Sequence, residues 1–486
     1  MKKVKAFLFS LHRIFGSIVC LFFFMWFVSG LVLVYHSFPK VTKEQKYEKM
    51  EALPSSLPHW ETVLSPVCDS VDQVQSLKVR QFQNQTLYTV KTKDSTYVIC
   101  NDSLQAVTPV TFQTIRQIAR KWVDSPVVRV DTLYERDQWI LYSWYVNELP
   151  VYKFYYDDDE KHQLYVSSRT AEVLQLSTRK ERFWAWMGAI PHKFYIPLIR
   201  RDTNLWTRSL TIAGFIALIA ALSGVSLGIY VLRKSYKNKK RLVTPYRKRW
   251  YKWHHVTGLV FGVFLITWAF SGAISMQRLP QWLVKTYGEY RISPAKIRGK
   301  RLSLDKYVLD YRSVQQVYSD VKEIEWSHYR DVPVYNIVTG NKELCIDAST
   351  DQVKKLYLPE NQIEKSIRAV HGKDASFTIH TINEYEEYYL ARKNKLPLPV
   401  YKVEVDNEDA SRYYIDPATG DFKYLNRSRK VKKWLFNAMH YLQIKWLYEK
   451  PVLWVMSMWV LCIGGALVSL TGIVLSVRYI RRKLKR

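Results

Sequence analysis

Four of the chain's eleven histidines stand beside long apolar segments and recur at equivalent places in its two halves. Neutral imidazole binds haem iron through one ring nitrogen, and an ionisable side chain is rare in a membrane segment unless it has a function. His12 and His254 each precede a glycine by four residues, Gly16 and Gly258. One helical turn separates each pair, so a residue without a side chain would lie beside each imidazole. This spacing suits a flat, bulky ligand held between helices.

The two halves of the chain match around these histidines. LHRIFGSIVCLFFFMWFVSG (residues 11–30) aligns without gaps with WHHVTGLVFGVFLITWAFSG (residues 253–272), which pairs His12 with His254. A second alignment pairs His192 with His440, each shortly before another apolar segment. If the halves are parallel repeats related by an axis along the membrane normal, equivalent histidines face one another. The pattern predicts two paired sites, each able to bind one haem b through two imidazoles. Structural polar packing is the alternative interpretation.

His255 and His36 are secondary candidates for iron ligation. On a helix, His255 points about 100° away from His254, toward lipid headgroups or a haem propionate. His36 aligns with Arg278, so it has no symmetric counterpart. It could serve only as a substitute axial ligand or contact a propionate.

Small residues and tryptophans also recur in both halves. We interpret the Ser-Gly and Thr-Gly pairs as sites of close helix packing, because small residues let membrane helices approach one another. Trp206 and Trp454 are interpreted as anchors at the membrane interface. Trp26 and Trp268 lie deeper, where they could pack on a porphyrin or on other core residues.

Four segments are nearly free of charge and about 20 residues long, the length that spans a bilayer. They are Ile14–Val34, Leu210–Leu232, Val256–Met276 and Val452–Val477. The formal net charge of +30 is concentrated at the ends of these segments, notably in a linker at residues 233–252 with ten basic residues and no acidic one. This distribution argues against nucleic-acid binding. By the positive-inside rule it predicts both termini and the linker in the cytoplasm and both long intervening segments outside.

The predicted fold class is an integral membrane α+β protein: four transmembrane helices form two parallel repeats, each helix–lobe–helix. Residues 112–123 have helical apolar spacing, and residues 86–102, 150–168 and 412–425 have strand–turn–strand patterns. Cys68 and Cys100 could form a disulfide. The predicted boundaries are spans at residues 1–36, 206–232, 253–277 and 451–478, lobes at 37–205 and 278–450, a cytoplasmic loop at 233–252 and a cytoplasmic tail at 479–486.

The motifs LHRIFG…FVSG, PHKFYIPL…LWTRSL…LSG, WHHVTG…AFSG and MHYLQIKW…LW resemble the PepSY-associated transmembrane family over nearly the whole chain. That family includes iron-regulated inner-membrane proteins and ferrisiderophore reductases. The resemblance implies PepSY-like periplasmic lobes and a di-haem protein of the inner membrane that carries electrons to a periplasmic ferric siderophore or other iron chelate. By position, His12 and His254 would be the inner ligands and His192 and His440 the outer ones.

The sequence contains no GxGxxG or Walker motif, so the electron donor would be a separate cytoplasmic or membrane component. The enzyme that the family resemblance implies is a ferric-chelate reductase with two haem b groups. The alternative is a non-redox PepSY membrane module whose lobes bind or regulate a periplasmic protein partner or peptidase. Such a module would use its spans only as anchors.

Overall fold

The computed structural model describes residues 2–65, 67, 74–93, 95–100, 110–392 and 396–485. Its α-helices begin with α1 (Lys2–Tyr35), α2 (Lys43–Lys49), α3 (Trp60–Leu64), α4 (Phe112–Trp122), α5 (Arg179–Met187), α6 (Ala189–Lys193), α7 (Pro197–Arg200), α8 (Thr203–Lys239) and α9 (Arg249–Ile274). They continue with α10 (Pro294–Arg298), α11 (Val314–Val317), α12 (Glu360–His371), α13 (Arg427–Lys432), α14 (Met439–Tyr441), α15 (Lys445–Tyr448) and α16 (Pro451–Leu484), and a π-helical turn, Lys433–Ala438, joins α13 to α14.

Four of these helices, α1, α8, α9 and α16, are long and apolar enough to cross a membrane. Local sequence sets their starts: the Asp202 carboxylate accepts hydrogen bonds from the amides of Asn204 and Leu205 at the first turn of α8, and Pro451 opens α16. Helix α1 packs against α8 and α16, and α9 packs against the same two. Helices α1 and α9 are therefore one diagonal of a four-helix bundle, and α8 and α16 are the other.

The bundle has an aromatic and small-residue core. Phe23 and Phe27 of α1 stack on each other with ring centres 5.8 Å apart, and Ala217, Ala220 and Ala269 pack in the same cluster. Two helices approach very closely at Gly262, where an added Cβ would lie 2.4 Å from a methyl group of Val225. Glycine at this position is therefore required by the contact between α9 and α8.

The chain divides into two compact units. The membrane unit comprises Met1–Lys40, Ser125–Leu283 and Val431–Arg486, and so contains all four spanning helices. It also contains an antiparallel sheet in the order β4 (Val127–Leu133), β5 (Val151–Tyr156), β6 (Gln163–Ser167) and β7 (Val173–Ser177). Buried Tyr165 of this sheet belongs to the same core as Ile190 of α6 and Trp206 of α8. The sheet is thus joined to the helices that lead into the span.

The lobe unit comprises Val41–Asp124 and Val284–Lys430. Its larger sheet has seven strands in the order β11 (Lys354–Lys355), β10 (Lys342–Asp347), β9 (Val332–Thr339), β8 (Val321–Tyr329), β1 (Val74–Phe82), β2 (Gln85–Thr92) and β3 (Thr96–Cys100). Strands β1 and β8 pair antiparallel, with Val79 opposite Ile324. One sheet is therefore built from both long segments between the spans, although the sequence predicts a separate lobe for each segment.

The second sheet of the lobe unit has four antiparallel strands, β12 (Phe377–Ile382), β13 (Val400–Val405), β14 (Arg412–Ile415) and β15 (Phe422–Leu425), with α12 packed against it. The predicted helix at residues 112–123 and the three predicted hairpins are confirmed, as is the α+β membrane fold class. The parallel-repeat relation and the predicted domain boundaries stay predictions. Cys68 lies outside the described residues, so its predicted disulfide with Cys100 also stays a prediction.

Candidate functional site

The four repeated histidines form two pairs. His12 of α1 and His254 of α9 lie on diagonal helices with ring centres 6.1 Å apart. His192 of α6 and His440 of α14 have ring centres 6.2 Å apart. We call the first the basic-side pair, because it lies at the end of the bundle that carries the basic linker. We call the second the lobe-side pair, because it lies at the opposite end of the bundle, where the long segments leave the spans and return to them.

The lobe-side histidines are held by the same local structure in both halves. Each histidine lies near the end of a short helix that is stopped by a left-handed residue, Phe194 (φ 50°) or Leu442 (φ 52°). This turn reverses the chain toward the following span. Such conformations are uncommon for residues other than glycine, so their occurrence two residues after both histidines marks a constrained site.

Two tryptophans close these turns. The indole N–H of Trp206 donates to the carbonyl of Lys193 at 2.6 Å, and that of Trp454 donates to the carbonyl of Tyr441 at 2.8 Å. Both carbonyls belong to the residue directly after a lobe-side histidine. Both tryptophans are buried, so most of each ring contacts protein. The structure thus gives them a positioning role that the interpretation as interface anchors did not foresee.

All four imidazoles use Nδ1 to hydrogen-bond a group on a facing spanning helix. These partners are a backbone carbonyl, a hydroxyl or both, which are neutral acceptors for an Nδ1–H. Since Nδ1 is occupied, Nε2 is the nitrogen left for a ligand. The partners are the Ala220 carbonyl for His12 (3.0 Å), the Val468 carbonyl (3.2 Å) and Thr471 Oγ1 (3.0 Å) for His254, the Trp26 carbonyl (3.2 Å) and Ser29 Oγ (3.1 Å) for His192, and Ser271 Oγ (3.0 Å) for His440.

The recurring Ser-Gly and Thr-Gly pairs lie against these rings. An added Cβ at Gly224 would lie 2.6 Å from Cε1 of His12, which the ring could not accommodate without moving. The corresponding distances to Cε1 are 3.5 Å at Gly30 for His192, 3.5 Å at Gly472 for His254 and 3.8 Å at Gly272 for His440. In each pair the glycine lies beside an imidazole from another element, and at Gly224 the ring leaves no room for a Cβ, whereas at the other three a Cβ would make an ordinary van der Waals contact. The two halves of the sequence align at these pairs, for which the sequence predicts only helix packing. Their fourfold recurrence was the signal.

Gly16 and Gly258 border open space beside the basic-side pair. A Cβ at Gly258 would meet nothing within 4 Å, and one at Gly16 would meet only Cε1 of His12 at 3.9 Å. At other glycines of the bundle, such as Gly262, neighbouring side chains occupy the space that a Cβ would need. The prediction that Gly16 and Gly258 contact a cofactor is therefore sterically compatible with the structure.

His255 differs from His254 in its contacts. Its Nδ1 lies 3.0 Å from Thr244 Oγ1 in the basic linker, and its Nε2 lies 3.1 Å from the Gly228 carbonyl of α8. Both ring nitrogens are thus engaged. His36 stacks flat on Trp184, with ring centres 4.4 Å apart and planes 3° apart. These contacts give His255 and His36 structural partners, and the two histidines remain secondary candidates.

Burial keeps the lobe-side imidazoles neutral. It lowers the pKa of His192 to about 3, helped by the proximity of His440 and of the positively charged Lys193, and it lowers the pKa of His440 to about 4. A neutral imidazole has the free lone pair that a metal needs. The ring of Trp26 stacks on Phe194 (5.9 Å) beside this pair, and the buried Nε1 of Trp268 has no hydrogen-bond partner among the described residues.

The lobe unit has a separate polar cleft of about 390 Å³. His371, at the end of α12, lines it and hydrogen-bonds Tyr413 through Nε2 at 2.7 Å. Buried Asp409 accepts hydrogen bonds from the amides of Tyr287 (3.0 Å) and Gly288 (2.6 Å) at its wall. The cleft could bind a small polar ligand, but its groups are largely satisfied by one another.

These features define a multi-pass membrane protein with an α+β portion and paired histidines between its helices. The family model for the PepSY-associated TM region matches residues 9–306, more than half of the 486 residues, and the chain belongs to that family. The match includes His12, His192 and His254. No curated protein sequence matches the chain. The predicted family membership is confirmed.

Proposed function

We propose that this protein is a haem-containing oxidoreductase that passes electrons across the membrane to a ferric siderophore or another ferric chelate. The observation that supports the proposal is the pairing of the four repeated histidines. Each pair joins elements distant in sequence, and each imidazole has its Nδ1 bonded to a facing helix. Family membership is compatible with this function and does not by itself establish it.

The spacing of each pair fits two imidazoles bound to one iron. Two metal–nitrogen bonds of about 2 Å each, plus about 1 Å from each nitrogen to its ring centre, place the ring centres about 6 Å apart. The ring centres lie 6.1 Å apart in the basic-side pair and 6.2 Å apart in the lobe-side pair. The open space at Gly258 suits a flat macrocycle. We therefore propose that His12 with His254, and His192 with His440, would each hold one b-type haem through their imidazoles.

Haem would supply a one-electron carrier at each site. The chain's own residues fix the orientation of the imidazoles. The Ala220 carbonyl and Thr471 Oγ1 hold the basic-side rings, while Ser29 and Ser271 hold the lobe-side rings. Neutral acceptors leave each imidazole uncharged, and the buried setting excludes water from the ring nitrogens. These contacts would hold each ring in one orientation.

The proposed direction is from the basic side, in the cytoplasm, to the lobe side, in the periplasm. A separate reduced carrier would give up one electron for each ferric ion reduced to ferrous ion, and no bond forms on the chain. Ferrous ion is held less tightly by hard oxygen chelators, so reduction would release iron for uptake. The lobes would provide the surface that approaches the chelate.

The visible spectrum of the purified protein tests the cofactor. The full chain, purified in lipid nanodiscs from cells supplied with haem precursor, should contain two b-type haems per chain by pyridine haemochrome assay. Dithionite should give sharp reduced α bands of six-coordinate haem. The reduced protein should then be reoxidised by a ferric hydroxamate with one ferrous ion formed per electron. A folded, colourless preparation would contradict the proposal.

The lobe cleft favours one other function, a module that binds a small ligand or a partner segment in its lobe unit. His371, Asn407 and Tyr424 line the cleft with groups that can donate or accept hydrogen bonds. In this second candidate the spans are anchors and no haem is needed. The haem assay separates the two functions.

A further inference from the structure

The short segments that carry the lobe-side histidines, residues 183–200 and 434–448, enter the bundle below the ends of the spans. His192 lies 3.1 Å from Ser29, and His440 lies 3.0 Å from Ser271. Ser29 and Ser271 each stand five residues before the end of a charge-free stretch, at Val34 and Met276. At 1.5 Å per helical residue, the contact at Ser29 lies about 7.5 Å inside the apolar part of α1, and the contact at Ser271 lies about 4.5 Å before the end of α9 at Ile274.

The composition of these two segments fits that depth. Residues 183–200 contain only two charged residues, Lys193 and Arg200, and residues 434–448 contain only one, Lys445. Both segments are nevertheless exposed at large apolar side chains. Trp186 and Trp434 each lie six residues before a lobe-side histidine, and both are exposed. Exposing such apolar surface to water costs a free energy of about 25 cal/mol per Å² relative to burying it.

The same positions recur after the histidines. Leu198 is 83% exposed and Trp446 is 58% exposed, and each lies six residues after its histidine. The exposed side chains therefore flank both histidines at matching distances. Short apolar helices rich in tryptophan are typical of segments that lie in a membrane interface. Both segments also lead directly into spans, at Thr203 and Pro451.

We infer that residues 183–200 and 434–448 lie in the lobe-side leaflet of the bilayer and bind lipid through Trp186, Leu198, Trp434 and Trp446. The occupant of this surface is lipid and not a second copy of the chain, because exposed apolar side chains continue from it onto the first turns of α8 and α16, at Leu205 and Val452. The inference does not depend on haem. It means that the lobe-side histidines lie below the membrane surface, shielded from water.

Spin labels test this placement in the full chain in nanodiscs of phosphatidylcholine and phosphatidylglycerol. Leu198→Cys and Trp446→Cys would be labelled in a chain whose five native cysteines are replaced. Two positions of similar exposure serve as controls, Val263 in the middle of α9 (61%) and Val128 in β4 (62%). Power saturation with oxygen and with a water-soluble nickel chelate gives the depth of each label.

We expect the labels at 198 and 446 to collide with oxygen more than with nickel, as the label at 263 should, while the label at 128 should collide mainly with nickel. Nickel access at 198 and 446 equal to that at 128 would overturn the inference. Protection from both reagents together with dipolar broadening between chains would also overturn it, because a second copy would then cover the surface.

A second measurement uses chains that keep all five native cysteines, so it does not depend on the folding of the cysteine-free chain. Brominated lipids quench tryptophan fluorescence only at contact. Trp186→Phe and Trp434→Phe should each reduce the quenched fraction of the total emission, whereas Trp206→Phe, which removes a buried ring, should not. An unchanged quenched fraction in both exposed variants would contradict the lipid contact.

Discussion

At the scale of single residues, the structure separates the two adjacent histidines of α9. His254 faces His12, and its Nε2 is available for a ligand. The two ring nitrogens of His255 instead form hydrogen bonds to Thr244 and to the Gly228 carbonyl. His254→Ala and His12→Ala should each remove about half of the haem, and their double variant should remove no more. His255→Ala should keep the haem but lower stability by about 1–3 kcal/mol, because it leaves buried groups unpaired. Haem per folded chain and thermal unfolding measure the two effects. A loss of haem in His255→Ala equal to that in His12→Ala would reverse the assignment.

The hydroxyl groups that hydrogen-bond the imidazoles should lower the reduction potentials of the bound haems. Ser29, Ser271 and Thr471 accept from Nδ1–H, which increases electron donation from the ring and stabilises ferric iron. Ser29→Ala, Ser271→Ala and Thr471→Val should each raise the reduction potential of one haem by up to about 40 mV. For a one-electron couple this corresponds to about 1 kcal/mol, the contribution of one hydrogen bond.

Ser223 supplies the matched control for this prediction. It occupies the equivalent Ser-Gly pair, but its Oγ donates to the Ala220 carbonyl at 3.0 Å, the same carbonyl that Nδ1 of His12 contacts. Ser223→Ala should therefore leave the potential unchanged or shift it slightly downward, since His12 no longer shares its acceptor. Spectroelectrochemical titration measures each value. Equal upward shifts in all four variants would mean that the hydroxyls act only through packing.

Gly258 tests whether a ligand fills the space beside the basic-side pair. Because an added Cβ meets nothing within 4 Å, Gly258→Ala should leave the haem-free chain as stable as before or stabilise it by up to about 1 kcal/mol. The same methyl group should lower haem occupancy at this site. Gly262→Ala is the control, since its Cβ would clash with Val225 and should destabilise the chain whether or not haem is bound. Thermal unfolding with and without haem distinguishes these results. Unchanged haem occupancy in Gly258→Ala would argue against a macrocycle at this position.

At the scale of elements, the turns after His192 and His440 determine where the lobe-side rings lie. Trp206→Phe or Trp454→Phe removes the indole N–H that binds a buried carbonyl in each turn, at a cost of about 1–3 kcal/mol. We expect haem loss at the lobe-side site only, because these tryptophans have no contact with the basic-side histidines among the described residues. Trp459→Phe, in α16 but exposed, should leave both sites intact. Site-resolved spectra of the three variants provide the measurement.

Elements with a strong local pattern were predictable from the sequence. The spans follow from apolar length, α4 from its helical spacing, and the hairpin β14–β15 from Asp416-Pro417 and Thr419-Gly420 at its turn. The four paired histidines followed from the internal alignment. The tryptophan contacts did not, because a tryptophan near a span end has the same local sequence whether it faces lipid or caps a carbonyl.

At the scale of the whole molecule, the seven-stranded sheet illustrates what local patterns omit. Strand β1 follows the first span and β8 follows the third, yet Lys78 pairs with Glu325 and Arg80 with Glu323 across one ladder. In both β1 and β8, apolar and polar residues alternate as in any half-buried strand. Nothing in either sequence specifies a partner strand more than 240 residues away. The pairing depends on long-range packing of Leu77 and Val79 with Ile324 in a common core. Only the assembled sheet could reveal it.

The charge distribution predicts the orientation of the molecule in the membrane, and this orientation can be measured directly. The linker at residues 233–252 carries ten basic residues and no acidic one, and basic residues in short loops are retained in the cytoplasm. Lys240→Cys, exposed in that linker, should react with a membrane-impermeant maleimide only after the inner membrane is opened. Asp351→Cys, exposed in the lobe unit, should react in intact spheroplasts. The reverse pattern would place the lobes in the cytoplasm, and the proposed flow of electrons toward a periplasmic chelate would then be impossible in that direction even if both haems were present.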